Sequence, residues 1–176
     1  LGPDDVTTYR SIRLEALRTD PMAFCSTHER EAAFDDATFA GRLTDYQGRP
    51  GAIVVDDAPD AIHLIDGLLS PHYHVHVACN GTSALGILAG PLPVDLILLD
   101  VLMPDLDGFE VCRRLRALPG RSEVPVVFLT GSRDATDEAT GFAAGANDFV
   151  SKPVDPERLY ATLLKWLEQA GGTGPA

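Results

Sequence analysis

The chain has 176 residues with 26 acidic and 14 basic side chains, a formal charge of −12, and 45% of its residues are hydrophobic. A deficit of that size repels phosphate backbones and anionic lipid, which argues against direct nucleic-acid or membrane-surface binding and for cationic or metal-mediated partners. The hydrophobic share excludes global disorder, and the length leaves room for one well-packed domain with an appendage, or for two very small domains.

Residues 1–50 carry 6 basic and 9 acidic groups and read as a short helical extension. Tyr9, Ile12, Ala16 and Leu17 share one helical face, and Ser26 to Glu29 forms a capping box before another helix. A segment this short cannot bury a stable core alone. The stretch Asp45 to Gly51, DYQGRPG, packs two glycines and a proline between differently patterned regions and marks the boundary. The remainder carries 8 basic and 17 acidic groups, so most of the acidity lies there.

Beyond the boundary, two kinds of segment alternate. Brief apolar runs at Ala52–Val55, Val75–Ala78, Leu96–Leu99, Val124–Leu129 and Phe149–Val150 predict buried parallel strands. Between them, Ile62, Ile65, Leu68 and Leu69, then Phe109, Cys112, Leu115 and Leu118, then Leu159, Leu163, Trp166 and Leu167 recur at helical spacing. Asp60, Asp107 and Asp155–Pro156 mark helix starts, where a short acidic side chain caps orphan amides and proline suits the first turn. Five strand-helix units with right-handed crossovers give an α/β fold, an open parallel sheet with helices on both faces.

Several residues that could carry chemistry read as structure. His72, His74 and His76 fall on one face of a strand, the spacing of a metal comb; the expected arrangement is a solvent-facing edge strand with Tyr73, Val75 and Val77 toward the core. Cys112 sits at core spacing. Cys25, Cys79 and Cys112 show no paired spacing of a zinc knuckle or redox pair, which makes a reducing, cytoplasmic setting the expectation. Gly141 to Gly145 lacks the strand-then-glycine context of a nucleotide loop and reads as a helix ending in a turn. No apolar run approaches the roughly 18 to 20 residues that cross a bilayer, and the N-terminus shows no signal pattern.

In such a sheet the ligand site lies outside the carboxyl ends of the strands. The first run ends in Asp56 and Asp57, the third in Asp100, the fourth in Thr130, and the fifth in Lys152 before Pro153. Three carboxylates at one edge need a counter-charge to stay ionised, and an all-oxygen donor set suits Mg2+, with Mn2+ as a substitute. Lys152, one of only two lysines, adds positive charge, and the Thr130 hydroxyl adds a donor. An aspartate, a metal, a lysine and a hydroxyl together suit transfer of a phosphoryl group to a carboxylate.

The runs AIVVDD, LILLDVLMPDLDGFEV, VPVVFLTG and GFAAGANDFVSKP together resemble the receiver domain of two-component response regulators over about Gly51 to Glu168. The resemblance implies a flavodoxin-like (βα)5 sheet of strand order 2-1-3-4-5, a phosphorelay switch rather than an enzyme with a separate substrate, and a sensor histidine kinase or phosphotransfer protein as donor. It implies Asp100 as phospho-acceptor, with Asp56, Asp57, Asp100 and the Leu102 backbone carbonyl holding magnesium. Thr130 and Lys152 would contact the phosphoryl group, and Thr130 with Phe149 would switch the face made by that unit's fourth helix, fifth strand and fifth helix toward a downstream effector or a homodimer. The family often has tyrosine at the position of Phe149, so a partner that reads a phenolic hydroxyl there is not expected. The Lys152–Pro153 bond is expected in the cis form that the family shows.

Residues 1–43 resemble the start of a GNAT-type N-acetyltransferase. No Gln/Arg-x-x-Gly-x-Gly/Ala loop for the acetyl-CoA pyrophosphate occurs in the chain, so acetyl transfer is not expected. The expected organisation is a helical extension at 1–50, a receiver domain at 51–168 and a flexible tail at 169–176. The start at Leu1 suggests a fragment or processed chain, and the short tail suggests a switch without its own output domain. The alternative is part of a larger regulator or hybrid kinase whose effector lies elsewhere.

Overall fold

The computed structural model describes residues 6–19, 32–33, 35–36, 49–131 and 135–169. The chain divides into two compact units, Leu1–Arg49 and Pro50–Ala176. In the first, helix α1 (Val6–Thr19) buries Leu17 but leaves Ile12 57% exposed, so the predicted apolar stripe is not wholly covered. Arg10 on this helix instead donates to Asp36 Oδ1 at 2.6 Å and to the Ala32 carbonyl at 3.1 Å. The Ser26 to Glu29 capping box and the tail from residue 170 lie outside the described residues.

The second unit runs β1 (Gly51–Val55), α2 (Pro59–Leu69), β2 (His74–Ala78), α3 (Gly81–Ala89), β3 (Leu96–Asp100), α4 (Gly108–Arg116), β4 (Val126–Thr130), α5 (Ala135–Ala144), β5 (Asp148–Ser151) and α6 (Pro156–Gln169). All four strand pairings are parallel and the order is β2-β1-β3-β4-β5, the flavodoxin-like arrangement expected. Side chains alternate across the sheet with period two. Ile53, Val55, Ile97, Leu99 and Phe128 therefore enter one core with Leu88, Val111, Cys112 and Leu115, while Ala52, Val54, Leu96, Leu98, Val127 and Leu129 enter another with Ile65, Leu69, Leu159 and Leu163. The inner strands are buried on both faces, which is why they read as unbroken apolar runs.

Local chemistry sets the element ends. Asp107 and Asp155 accept from the amides of Glu110 and Arg158 at 2.7 and 2.8 Å, so they cap α4 and α6 as predicted. Asp60 does not cap α2, which begins at Pro59 after Ala58; Asp56 Oδ1 accepts the Ala58 amide at 2.9 Å instead. The fourth strand starts at Val126 rather than Val124, because Arg116 draws the Val124 carbonyl into a 2.7 Å hydrogen bond outside the sheet. Arg121 likewise donates to the carbonyls of Leu88, Gly90 and Leu92 at 3.0, 3.0 and 2.7 Å. These two guanidinium groups satisfy carbonyls at the end of α3 and in the loops that enter β3 and β4, at the edge opposite the strand ends that carry the acids.

The histidine strand departs from expectation. β2 is an edge strand with Tyr73 at 3% exposure and Val75 packed against its cluster, as expected, and His72 is exposed, but the face that carries His74 and His76 is only partly open to solvent. His74 and His76 are half-buried and meet edge-on with ring centroids 4.6 Å apart, and His76 Nε2 is buried without a hydrogen-bond partner. The doubly wound fold covers both faces of β2, because α3 packs over this side. Burial, and then the neighbouring His74, push the His76 pKa below its ordinary 6.5. The folded state thus binds a proton less readily than the unfolded chain, so the His76 contribution is fully present above about pH 6.5 and is lost as pH falls through the depressed folded value. In urea titrations, wild type should lose stability over that window and His76→Phe should lose less.

Candidate functional site

The carboxyl ends of β1, β3, β4 and β5 bring together the acids, hydroxyl and lysine that the sequence placed at strand ends. Asp56 immediately follows β1 and is fully buried, Asp57 beside it is exposed, and Asp100 ends β3 at 5% exposure. One oxygen from each of these three lies within 4.8 Å of the others. Lys152, just past β5, reaches Asp56 Oδ2 at 2.6 Å and Asp100 Oδ2 at 3.1 Å. Thr130 ends β4 with 6% exposure, and its carbonyl accepts the Lys152 amide at 2.7 Å, which fixes the lysine backbone against that strand. The Lys152–Pro153 bond is cis, as expected.

The charges explain the arrangement. Two carboxylates up to 4.8 Å apart repel by roughly 3–4 kcal/mol at an effective dielectric constant near 20, so the pair needs a cation. Burial and then the Asp56 charge raise the Asp100 pKa, against hydrogen bonding from Lys152 and from the Leu102 amide. For Lys152, burial disfavours the charged form, but the contacts with Asp56 and Asp100 outweigh it and hold its pKa above the ordinary value. Asp56 Oδ2 is buried with the Lys152 ammonium 2.6 Å away as its one described ion-pair partner, so that oxygen retains a lone pair. Hard oxygen donors with one underused buried atom fit a divalent cation such as magnesium.

Leu102 lies two residues beyond Asp100, with its amide 3.5 Å from Asp100 Oδ1 and its side chain 73% exposed. Gly108 makes the tight passage from this loop into α4 possible: a Cβ there would stand 2.3 Å from the Asp100 carbonyl oxygen. Phe149 on β5 is 9% exposed, with Phe128 and Phe142 rings at 5.5 and 5.0 Å. Gly141 makes its room, since a Cβ at that position would lie 2.5 Å from the Phe149 ring.

The family model for the response regulator receiver domain matches residues 52–164. The chain belongs to the response regulator receiver family. This receiver is 42% identical over 112 residues to the response regulator PleD of Caulobacter vibrioides, covering 63% of this chain and 24% of PleD. The chain thus spans about a quarter of the length of that curated relative. Among solved structures, the chemotaxis protein CheY4 of Vibrio cholerae matches at 30% identity and a TM-score of 0.65, over 68% of this chain and all of that one (100%). The receiver domain of the sensor histidine kinase PA1611 of Pseudomonas aeruginosa, solved with magnesium in its active-site cleft, matches at 29% identity and a TM-score of 0.63, over 69% and 99% of the two chains. A receiver domain is a signalling switch, and Asp56, Asp57 and Asp100 could hold a metal ion here.

One residue near the receiver site escaped sequence reasoning. Asp105, in the loop after β3, accepts the amides of Gly81 and Thr82 at 3.1 and 3.0 Å and the Thr82 hydroxyl at 2.9 Å, so it caps α3 from a distant segment. Nothing in its sequence neighbourhood marks that long-range contact. Burial works against its ionisation, but the hydrogen bonds from Thr82, Leu106 and Gly81 prevail and pull its pKa from 3.8 to about 2. Because the folded pKa is depressed, the clamp is at full strength above about pH 3.8 and is lost as pH falls through about 2. Asp105→Ala should lower unfolding free energy by about 1 kcal/mol at neutral pH, as loss of a cap does. Denaturation at stepped pH should show the two proteins converging toward the acid end.

Proposed function

We propose that the chain accepts a phosphoryl group on Asp100 and acts as a phosphorylation-dependent switch. The observation that carries this reading is the Lys152 ammonium held between Asp56 and Asp100, at 2.6 and 3.1 Å, beside a third carboxylate. In the transfer, an Asp100 carboxylate oxygen attacks phosphorus in line. A P–O bond forms as the bond to the donor's histidine nitrogen, or to the leaving oxygen of a small acyl phosphate, breaks. Lys152 offsets negative charge on the transferring oxygens, and Thr130 positions one of them by hydrogen bonding. Asp56, Asp57, Asp100 and the Leu102 carbonyl are the groups that would hold Mg2+, or Mn2+ in its place. When bound, the ion supplies positive charge next to the phosphoryl oxygens. Water then removes the group and resets the switch, so the only chemistry the domain performs is on itself.

The donor in this reading is a sensor histidine kinase or phosphotransfer protein, and the output passes to a downstream protein through the face of α5, β5 and α6. Phe142, 53% exposed on α5, and Leu164, 39% exposed on α6, give that face apolar contact area for an effector or a second copy. The acidic charge continues to argue against nucleic acid. Among the described residues, no helix is long and apolar enough to cross a membrane.

Intact-mass measurement after incubation with acetyl phosphate and magnesium tests the chemistry. Wild type should gain one phosphoryl mass, chelation of the metal should abolish the gain, and Asp100→Asn should show none. Lys152→Ala should slow uptake on the order of 100-fold, the usual cost of removing one charge-stabilising donor. Uptake by Asp100→Asn at the wild-type rate would overturn the assignment.

A further inference from the structure

Among the described residues of helix α5, the buried positions and the aromatic contact lie toward its C-terminal end. Residues 136 and 138–140, in its first half, are exposed, and none of the sequence ATDEAT gives that half an apolar stripe. Its buried positions are Gly141 and Ala144, and its aromatic contact, from Phe142 to Phe149, also lies in the second half. Just past the helix, the Gly145 carbonyl accepts two hydrogen bonds from Arg116, from Nε at 3.0 Å and from a terminal nitrogen at 2.7 Å. The same terminal nitrogen donates to Asn147 Oδ1 at 3.0 Å, and that oxygen also accepts the Val126 amide at 2.9 Å. Gly145 adopts φ +103°, and a Cβ there would press against the Arg116 side chain at 3.0 Å. One guanidinium therefore joins the end of α4, the turn after α5 and the start of β5. The other end of α4 abuts the Asp100 carbonyl through Gly108, so α4 is a strut between the acceptor strand and this clasp.

We propose that Arg116 is a positioning residue that hinges α5 at its C-terminal end, so that the N-terminal half of the helix is the part that swings when the site changes state. A helix held by buried residues and an aromatic contact in its last turn, and by a guanidinium fork just past it, pivots there and cannot translate as a body. Lysine cannot replace the fork, because one ammonium cannot span the Gly145 carbonyl and the Asn147 amide in the same plane. The hinge stands on the unmodified protein. Only its coupling to the site rests on phosphorylation of Asp100.

Site-resolved amide hydrogen exchange on the full chain tests both. In unmodified wild type, the amides of Ala143 to Ala146 should be protected roughly tenfold or more above those of Ala139 and Thr140, the mark of a segment that opens from one end. Arg116→Met, which keeps the apolar stem, should erase that gradient while leaving Ile53 and Leu98 as protected as in wild type, and Arg116→Lys should not restore it. Uniform protection along α5 in wild type would overturn the hinge without recourse to any variant. So would equal losses at Ile53 and Leu98 in Arg116→Met, which would make the residue a general stabiliser. In protein whose phosphoryl mass has been confirmed, exchange should change at residues 136–141 and not at 143–146; equal changes at both would overturn the coupling. Absence of any phosphoryl mass would refute the Asp100 reading and leave the hinge to be judged on the unmodified protein.

Discussion

The Lys152 ammonium is the interaction around which the acidic edge is organised. Asp56 and Asp100 are both buried, and two carboxylates at that spacing repel strongly unless a cation lies between them. The lysine reaches both because its backbone amide is tied to the Thr130 carbonyl, which places residue 152 at the mouth of the sheet and not on its outer surface. Take away that tie and the edge becomes a set of mutually repelling acids. With it, the edge is a polar socket inside an otherwise apolar sheet, where one ammonium offsets part of the charge of three carboxylates.

The scaffold makes this placement cheap. Every strand runs in one direction, so all five carboxyl ends share an edge, and two apolar layers fix the inner strands from both faces. Glycine then permits the close passages: Gly108 lets the loop after β3 turn directly into α4, and Gly141 leaves room for the Phe149 ring. The opposite edge carries no comparable acid cluster among the described residues and is closed by Arg116 and Arg121 on main-chain carbonyls. Chemistry and mechanical closure are thereby separated to the two ends of the sheet.

Much of this was legible in the sequence, for a definite reason. Asp56, Asp57, Asp100, Thr130 and Lys152 each stand directly after an apolar run, and a parallel sheet converts that one-dimensional regularity into a shared edge. What stayed hidden depends on partners distant in sequence. Asp105 caps α3 from 24 residues away, and Arg116 reaches Gly145 across 29, so neither shows a local pattern. The histidines of β2 were misread in part because strand alternation tells which residues share a face but not whether a helix covers it. Asp60 was misread because an acid at a helix start looks like a cap even when Asp56, further upstream, takes the turn amide.

The inward use of basic side chains leaves the surface of this region mainly acidic. Of the eight basic groups beyond residue 50, Arg116 and Arg121 bind carbonyls and Lys152 sits in the socket, while the same region carries 17 acids. At long range the region presents its net charge of −9, whichever way the basic side chains point. A phosphoryl group arriving on its own climbs that field, and added salt speeds the encounter by screening it. A macromolecule that carries the group on a positively charged surface descends the same field. The net charge thus acts on the diffusional approach, before any contact is made.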